Sequence, residues 1–331
     1  MSGPHPSTAK IRYAVRAALA DLSPESLVLV ACSGGGDSMA LAEAVTHEAR
    51  HGSWSAGAVV VDHGLQPDSA HVAQQAAQRC RDLGLDPVVV ERAVTSDSGS
   101  GLEAAAREAR YAALSRSADH LGAAVVLLGH TLDDQAEQVL LGLVRGSGAR
   151  SLAGMAATRG RYRRPLLGVT RAECRESCFA EGVQWWDDPM NEDPSFTRVR
   201  ARRAVADLEV DLGPGIVAAL GRSADQLRDD ADVLDALADD AVSALGTGPW
   251  DVVDLEALAR GVRTRVWRRL LVAAGAPAGQ VSTRHTESCD ALITHWRGQG
   301  PVHAPGSVRV LRRDGYVVAQ ADSPARGDAH G

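Results

Sequence analysis

Leu27-Val28-Leu29-Val30-Ala31-Cys32-Ser33-Gly34-Gly35-Gly36-Asp37-Ser38 reads as a buried strand, a glycine loop and the opening of a helix. Leu27 to Ala31 is apolar on both faces, which suits a strand covered on two sides. Three consecutive glycines let the backbone approach a polyphosphate and aim its N–H groups at it. The helix that begins at Asp37 adds the partial positive charge of its N-terminus. Ser33 and Ser38 can donate hydroxyl hydrogen bonds. Asp37 would repel phosphate unless a cation lay between them, so its expected work is Mg²⁺ binding. A plain strand–turn–helix corner with Asp37 as N-cap accounts for single residues of the string. The whole Ser-Gly-Gly-x-Asp-Ser pattern in this setting points to a pyrophosphate site. No Gly-Lys-Ser/Thr ends the loop, so it is not a Walker loop.

Outward from this stretch, short apolar runs alternate with longer helical ones. Further strands are expected at Ala58 to Asp62, Pro87 to Glu91 and Ala124 to Gly129. Helices are expected at Asp68 to Leu83, Leu102 to Leu121 and Leu132 to Leu143, with a Ser/Gly-rich loop at Thr95 to Gly101. This is the α/β pattern of a doubly wound, mostly parallel sheet, in which ligands sit beyond the carboxyl ends of the strands. Gly146 to Arg164 is glycine-rich and basic and reads as a loop. A long helix, Ile216 to Leu245, opens a mainly helical second domain that ends in a β-hairpin around Asp314-Gly315. The expected boundaries are a lead-in with an N-terminal helix at 1–24, a catalytic domain at 25–211, a second domain at 212–322 and a disordered tail at 323–331.

At 331 residues the chain is too long for one core. No apolar run is long enough to cross a bilayer, and Met1 to Lys10 lacks the apolar core of a secretory leader. The five cysteines are odd in number and scattered, which suits a reduced cytoplasm. The net charge of −7 argues against nucleic acid only until its distribution is considered. No acid lies between Glu137 and Glu173, a span that holds seven arginines, nor between Glu256 and Glu287, which holds six. Basic faces on an acidic chain can still neutralise phosphates. Lys10 is the only lysine, so arginine content is inflated and only clusters carry weight.

Four more stretches have the residue types of a site. Val60-Val61-Asp62-His63-Gly64-Leu65 ends a strand at the ligand side, where Asp62 and His63 would face the crevice; strand capping is the plainer account. Arg107 and Arg110, three apart, share a helix face, which a solvated charged face would also explain. His130-Thr131-Leu132-Asp133-Asp134-Gln135-Ala136-Glu137 follows the fourth strand. Asp134 and Glu137 there suit an ammonium or a metal, although acids in a first helical turn also offset the dipole. Arg164-Pro165-Leu166-Leu167 precedes a helix, and Asp188-Pro189-Met190-Asn191 precedes Arg198, Arg200, Arg202 and Arg203.

The loop at 33–38 resembles that of the N-type ATP pyrophosphatases, and with these four stretches the chain resembles the tRNA(Ile)-lysidine synthase family, densely over about 25–205 and loosely beyond. It departs from the usual pattern at Gln66, where a basic residue is common, and at Arg198-Val199-Arg200-Ala201-Arg202. The resemblance implies a ligase that uses ATP and Mg²⁺ to join L-lysine to C2 of the wobble cytidine in the isoleucine tRNA with a CAU anticodon, through an adenylated cytidine. It further implies ATP-binding roles for Ser33, Gly34, Gly35, Gly36, Asp37, Ser38, Asp62 and His63, and catalytic roles for Asp37, Arg110 and His130. Asp134 and Glu137 would hold lysine, and Arg145, Arg164, Arg198, Arg200 and Arg202 would meet tRNA or intermediate phosphates. Gly146 to Arg164 and the arginines at 260–269 are expected on RNA backbone. The long helix from Ile216 fits a linker or the packing of a homodimer equally.

The nearest alternative is a tRNA thiolation enzyme with the same loop, for which Cys174 and Cys178, one helical turn apart, would have to serve. Cys-x₃-Cys matches Cys-x-x-Cys poorly. A non-catalytic nucleotide-binding RNA adaptor would keep the glycines without needing His130, Asp134 and Glu137.

Overall fold

The computed structural model describes residues 3–64, 68–94 and 102–321. Leu65, Gln66, the Thr95 to Gly101 loop and the tail at 323–331 lie outside the described residues. The chain forms two compact units, Met1–Leu227 and Arg228–Gly331.

The first unit is built on β1 (Leu27–Cys32), β2 (Ser55–Asp62), β3 (Val88–Arg92), β4 (Val125–Leu128), β5 (Thr158–Arg159) and β6 (Tyr162–Arg163), in the order β3-β2-β1-β4-β6-β5. β1 pairs in parallel with β2 and β4, β2 with β3, and β4 with β6; only β5 is antiparallel. Its helices are α1 (Pro6–Ala18), α2 (Gly36–Ala49), α3 (Ser69–Leu83), α4 (Leu102–Leu121), α5 (Leu132–Val144), α6 (Ala149–Leu152), α7 (Arg171–Ala180) and α8 (Thr197–Leu212). Period-two alternation divides β1 between the faces. Val28 and Val30 join the core under α1, α2, α3 and α7, while Leu29 and Ala31 join the core that includes Leu114 and Ala118 of α4. Each fully buried Leu or Val contributes about 1.5–3 kcal/mol, so both faces are firmly sealed. The expected doubly wound, mostly parallel sheet is the observed one.

The strand order places a topological switch between β1 and β4. The loop after β1 and the segment after β4 therefore share one crevice. Gly146 to Arg164, expected as a loop, carries α6 and the β5–β6 hairpin. Elements of two to four residues are too short to show any periodicity, which is why they read as irregular. The segment after Ser195, assigned no helix from sequence, forms α8.

α9 (Ile216–Leu245) runs through the division of the units. Beyond it come β7 (Trp250–Asp251), α10 (Val252–Ala257), α11 (Arg260–Ala273), α12 (Thr283–Thr294), β8 (Val302–Ala304), β9 (Val308–Arg313) and β10 (Tyr316–Ala321). β9 and β10 form the expected hairpin, with Asp314 and Gly315 both at positive φ, as a two-residue turn matched to strand twist requires. The hairpin belongs to an antiparallel sheet, β7-β10-β9-β8, packed on Trp267, Leu271 and Leu292.

The arginines of α11, expected on RNA, make ion pairs and hydrogen bonds within this unit. Arg263 pairs with Asp290 in the core, Arg265 with Asp235, and Arg269 with Asp235 and Asp239. Arg268 donates to the carbonyls of Val281 and Ala278. Their acidic partners lie far off in sequence, which hid the pairing and made the span look uncompensated. Among the described residues no helix is long and apolar enough to cross a membrane.

Candidate active site

The glycine loop joins β1 to α2. Gly34 has φ +83, and a Cβ there would come within 2.9 Å of the Ala76 side chain, so both conformation and space demand glycine. Ser38 is buried; its hydroxyl donates to the Gly35 carbonyl (2.9 Å), accepts from the Ser33 N–H (3.2 Å) and lies 3.2 Å from the Ser33 hydroxyl. Gly129, at the end of β4, packs so closely that a Cβ would sit 3.2 Å from the Ser38 backbone. From the other side the Trp186 N–H donates to the Gly34 carbonyl at 2.9 Å, and the Trp185 ring lies against Gly36. The loop is thus held rigid while Ser33 stays exposed.

Asp37, in the first turn of α2, has a buried Oδ1 with no hydrogen-bond partner. Burial pushes its carboxyl up to about 6, helped by the charges of Asp134 and Asp133 and opposed by Arg171. An orphaned oxygen beside this glycine loop fits a hard cation bound through one or two carboxylates and substrate phosphates.

Across the crevice α5 begins with a capping box. Thr131 accepts from the Asp134 N–H, and Asp134 Oδ2 accepts from the Thr131 N–H at 2.8 Å and its hydroxyl at 3.0 Å. Asp134 Oδ1 is left for the pocket, so its two oxygens do separate work. Arg171 Nη2 lies 3.1 Å from that oxygen and 3.3 Å from Glu137 Oε1, Arg171 Nε is 3.5 Å from Asp37 Oδ2, and Arg171 Nη1 is 4.0 Å from Asp133 Oδ1. Arg202, from α8, donates to the same Glu137 oxygen at 2.9 Å. Burial alone would lower the Arg171 guanidinium, but Asp134, Glu137 and Asp37 outweigh it and raise it. Burial likewise opposes the Asp134 carboxylate, yet Arg171 and the Thr131 hydrogen bonds hold it below its ordinary range.

In the sequence Arg171 stands only as one arginine in a basic span. Its signal was positional: a cation at the first residue of a capped helix opposes the dipole and needs a carboxylate partner.

Beside this acidic pocket lies a group of arginines with the opposite character. Arg110 is half-buried and burial pulls its guanidinium down, with Arg107 and Arg198 adding repulsion. Arg164 is 6% exposed and donates to the Ala156 carbonyl (2.8 Å) and the Tyr111 hydroxyl (3.2 Å), with its Nε unpartnered. Arg107 lies over the Tyr111 ring at 5.1 Å. Among the described residues no carboxylate pairs with Arg107, Arg110 or Arg164. His130 sits between the two groups. Burial, with Arg110, Arg164 and Arg107, drives its imidazole down to about 3 against the pull of Asp134, so it is neutral at pH 7, with a buried Nδ1 that has no partner.

His63 is also lowered, by burial and then by Arg110, with Asp62 and Asp188 opposing. Asp62 is 8% exposed and accepts from the Gly64 N–H at 3.0 Å. Arg145 and Arg200 stand apart from this pocket. Arg145 is exposed at the C-terminal end of α5, a helix length from Asp134. Arg200 turns back on its own loop, donating to the Pro194 and Ser195 carbonyls. Cys174 and Cys178 are 0% and 1% exposed, and burial raises both thiols.

Residues 7–209 match the model of the PP-loop domain. The chain is 54% identical to a tRNA(Ile)-lysidine synthase of Thermobifida fusca, over 97% of this chain and 100% of that protein. It is 49% identical to one of Streptomyces coelicolor, over 96% and 99%. Among solved structures it resembles a U34-tRNA thiolase of Methanococcus maripaludis with its [4Fe-4S] cluster, at a TM-score of 0.56 and 17% identity, over 67% of this chain and 79% of that one; that likeness is one of fold alone.

Proposed function

Since the chain belongs to the tRNA(Ile)-lysidine synthase family, we propose that it spends ATP to join free L-lysine to C2 of the wobble cytidine in the isoleucine tRNA bearing a CAU anticodon. One observation carries the assignment of this chemistry to residues. At the mouth of the pyrophosphate loop, a carboxylate pocket suited to an ammonium adjoins arginines that have no acidic partner among the described residues and suit phosphates.

In this reading the cytosine O2 attacks the α-phosphorus of ATP. The bond to the bridging oxygen breaks, and pyrophosphate settles among the N–H groups and hydroxyls of Ser33 to Ser38, which are already oriented and need no reorganisation. The lysine ε-amine then attacks C2, the C2–O2 bond breaks, and AMP leaves with that oxygen. Free lysine has an amine pKa of about 10.4, so a proton must be lost; a pocket carboxylate accepts it. Asp134 and Glu137 hold the ammonium groups, sharing them with Arg171. Arg110 faces a carboxylate or phosphate, and the neutral His130 donates or accepts a hydrogen bond near the nucleotide, as do Asp62 and His63. Arg164, Arg198 and Arg202 meet phosphates of the intermediate or the tRNA. Asp37 would hold Mg²⁺, which when bound offsets negative charge on the phosphate oxygens.

Burial of Cys174 and Cys178 in the core under α7 speaks against persulfide chemistry there. Buried free cysteines and a tRNA substrate suit the cytoplasm. The test is direct. Incubated with ATP, labelled lysine and total tRNA, the protein should transfer label to tRNA with one AMP and one pyrophosphate per lysine. Pyrophosphate release without lysine incorporation would refute the substrate assignment.

A further inference from the structure

α3 packs its flank against the pyrophosphate loop. Ala76 lies closest to Gly34, and one turn on, Arg79 Nη1 is 3.9 Å from where a Gly34 Cβ would stand. That nitrogen is buried and has no hydrogen-bond partner. Among the described residues no carboxylate pairs with Arg79, whereas its neighbours Gln78 and Asp82 bond to each other. A charged donor left unpaired inside a protein is costly, and such groups call for an explanation. The charge is felt where the loop begins. The Cys32 thiol, at the end of β1, is lowered by its neighbour Cys80 first, against the effect of burial, with Ser38, the Gly34 backbone and last Arg79 adding to it. None of these partners carries a resident negative charge. The nearest feature built for one is the nest of N–H groups at Gly34 to Gly36.

We propose that Arg79 is a further binding residue of this loop, supplying positive charge to the diphosphate end of ATP and to pyrophosphate before it leaves. The proposal rests on the reading of residues 33–38 as a pyrophosphate site. It adds a cation from a different element, α3, to a loop that has no lysine of its own. Because the charge arrives from beside the backbone nest, it acts on the leaving group rather than on lysine or the tRNA base.

Arg79→Gln and Arg79→Lys separate charge from packing. Calorimetric titration of the free protein with inorganic pyrophosphate and Mg²⁺ should show affinity reduced about tenfold in Arg79→Gln and within about threefold of the parent in Arg79→Lys. The KM for lysine should stay within about twofold in both. Pyrophosphate affinity unchanged in Arg79→Gln would overturn the proposal. So would equal losses in both variants accompanied by a fall in melting temperature and in lysine affinity, which would make Arg79 a packing residue. Lysine transfer to tRNA is scored separately. Arg79-dependent pyrophosphate binding without lysine transfer would sink the substrate reading and leave this one standing.

Discussion

Arg171 donates to Asp134 across 3.1 Å, joining the first turn of α7 to the first turn of α5. Two helix N-termini, each a locus of positive charge, are brought to one point together with a guanidinium. The four carboxylates around it, Asp37, Asp133, Asp134 and Glu137, offset that repulsion.

Removing the cation should therefore be expensive. Arg171→Gln is expected to destabilise the protein by about 2–4 kcal/mol at pH 7, toward the low side for a buried pair because the side chains keep some solvent. Asp134 is held below its ordinary range, so its stabilising contribution is present above the unfolded carboxylate pKa and lost as pH falls. The Arg171→Gln penalty should shrink below about pH 4. Chemical denaturation at pH 7 and at about pH 2.5 checks both points; a pH-independent penalty would contradict the pairing.

Asp37 titrates in the opposite sense. Its folded carboxyl is raised to about 6, so its ionisation opposes folding as pH climbs from the unfolded value through 6. In metal-free protein Asp37→Asn should raise stability by about 1–3 kcal/mol at pH 7.5 and by almost nothing at pH 4. The same substitution should reduce lysine-dependent AMP formation by about 10²-fold or more. A stabler, fully active variant would remove Asp37 from the chemistry.

Glu137→Gln tests the ammonium pocket. Loss of one charge-assisted contact should raise the KM for lysine about tenfold or more and leave that for ATP within about twofold. Equal changes in both constants would assign Glu137 to packing with Arg171 and Arg202 instead.

Salt dependence separates the two sets of arginines. Arg198→Gln should lower the slope of log K for tRNA against log salt by about 1. Arg265→Gln, which breaks a pair with Asp235 inside the second unit, should lower the melting temperature and leave the slope unchanged. Filter binding over a salt series together with thermal melts distinguishes them.

The sheet was legible because Val28 to Ala31 and Val125 to Leu128 are apolar without interruption, a pattern that only a two-sided layer explains. The loop at 33–38 and His130 were legible as candidates because each sits just beyond a strand end, and Asp134 and Glu137 because they share one face at the start of the helix that follows. Arg171 and Arg79 were not, because each draws its meaning from groups distant in the chain: Asp37 and Asp134 for one, Gly34 for the other. The ion pairs of the α11 arginines were hidden for the same reason. Local charge counting cannot register that Asp235, Asp239 and Asp290 fold back onto them. Asp134 could be read as a helix cap or as a site residue, and its two oxygens make it both.

The hydrogen bond from the Trp186 N–H to the Gly34 carbonyl has a temporal consequence. The loop is closed by a residue that emerges from the ribosome about 150 residues after it, about 8–30 s later at ordinary rates of synthesis. Until then Gly34 lacks this partner, and the growing chain carries the glycine string without its strap. A nascent chain arrested before residue 186 should therefore show little affinity for ATP, and one arrested well past it should bind, so that nucleotide capture marks completion of the catalytic unit rather than synthesis of its best-known motif.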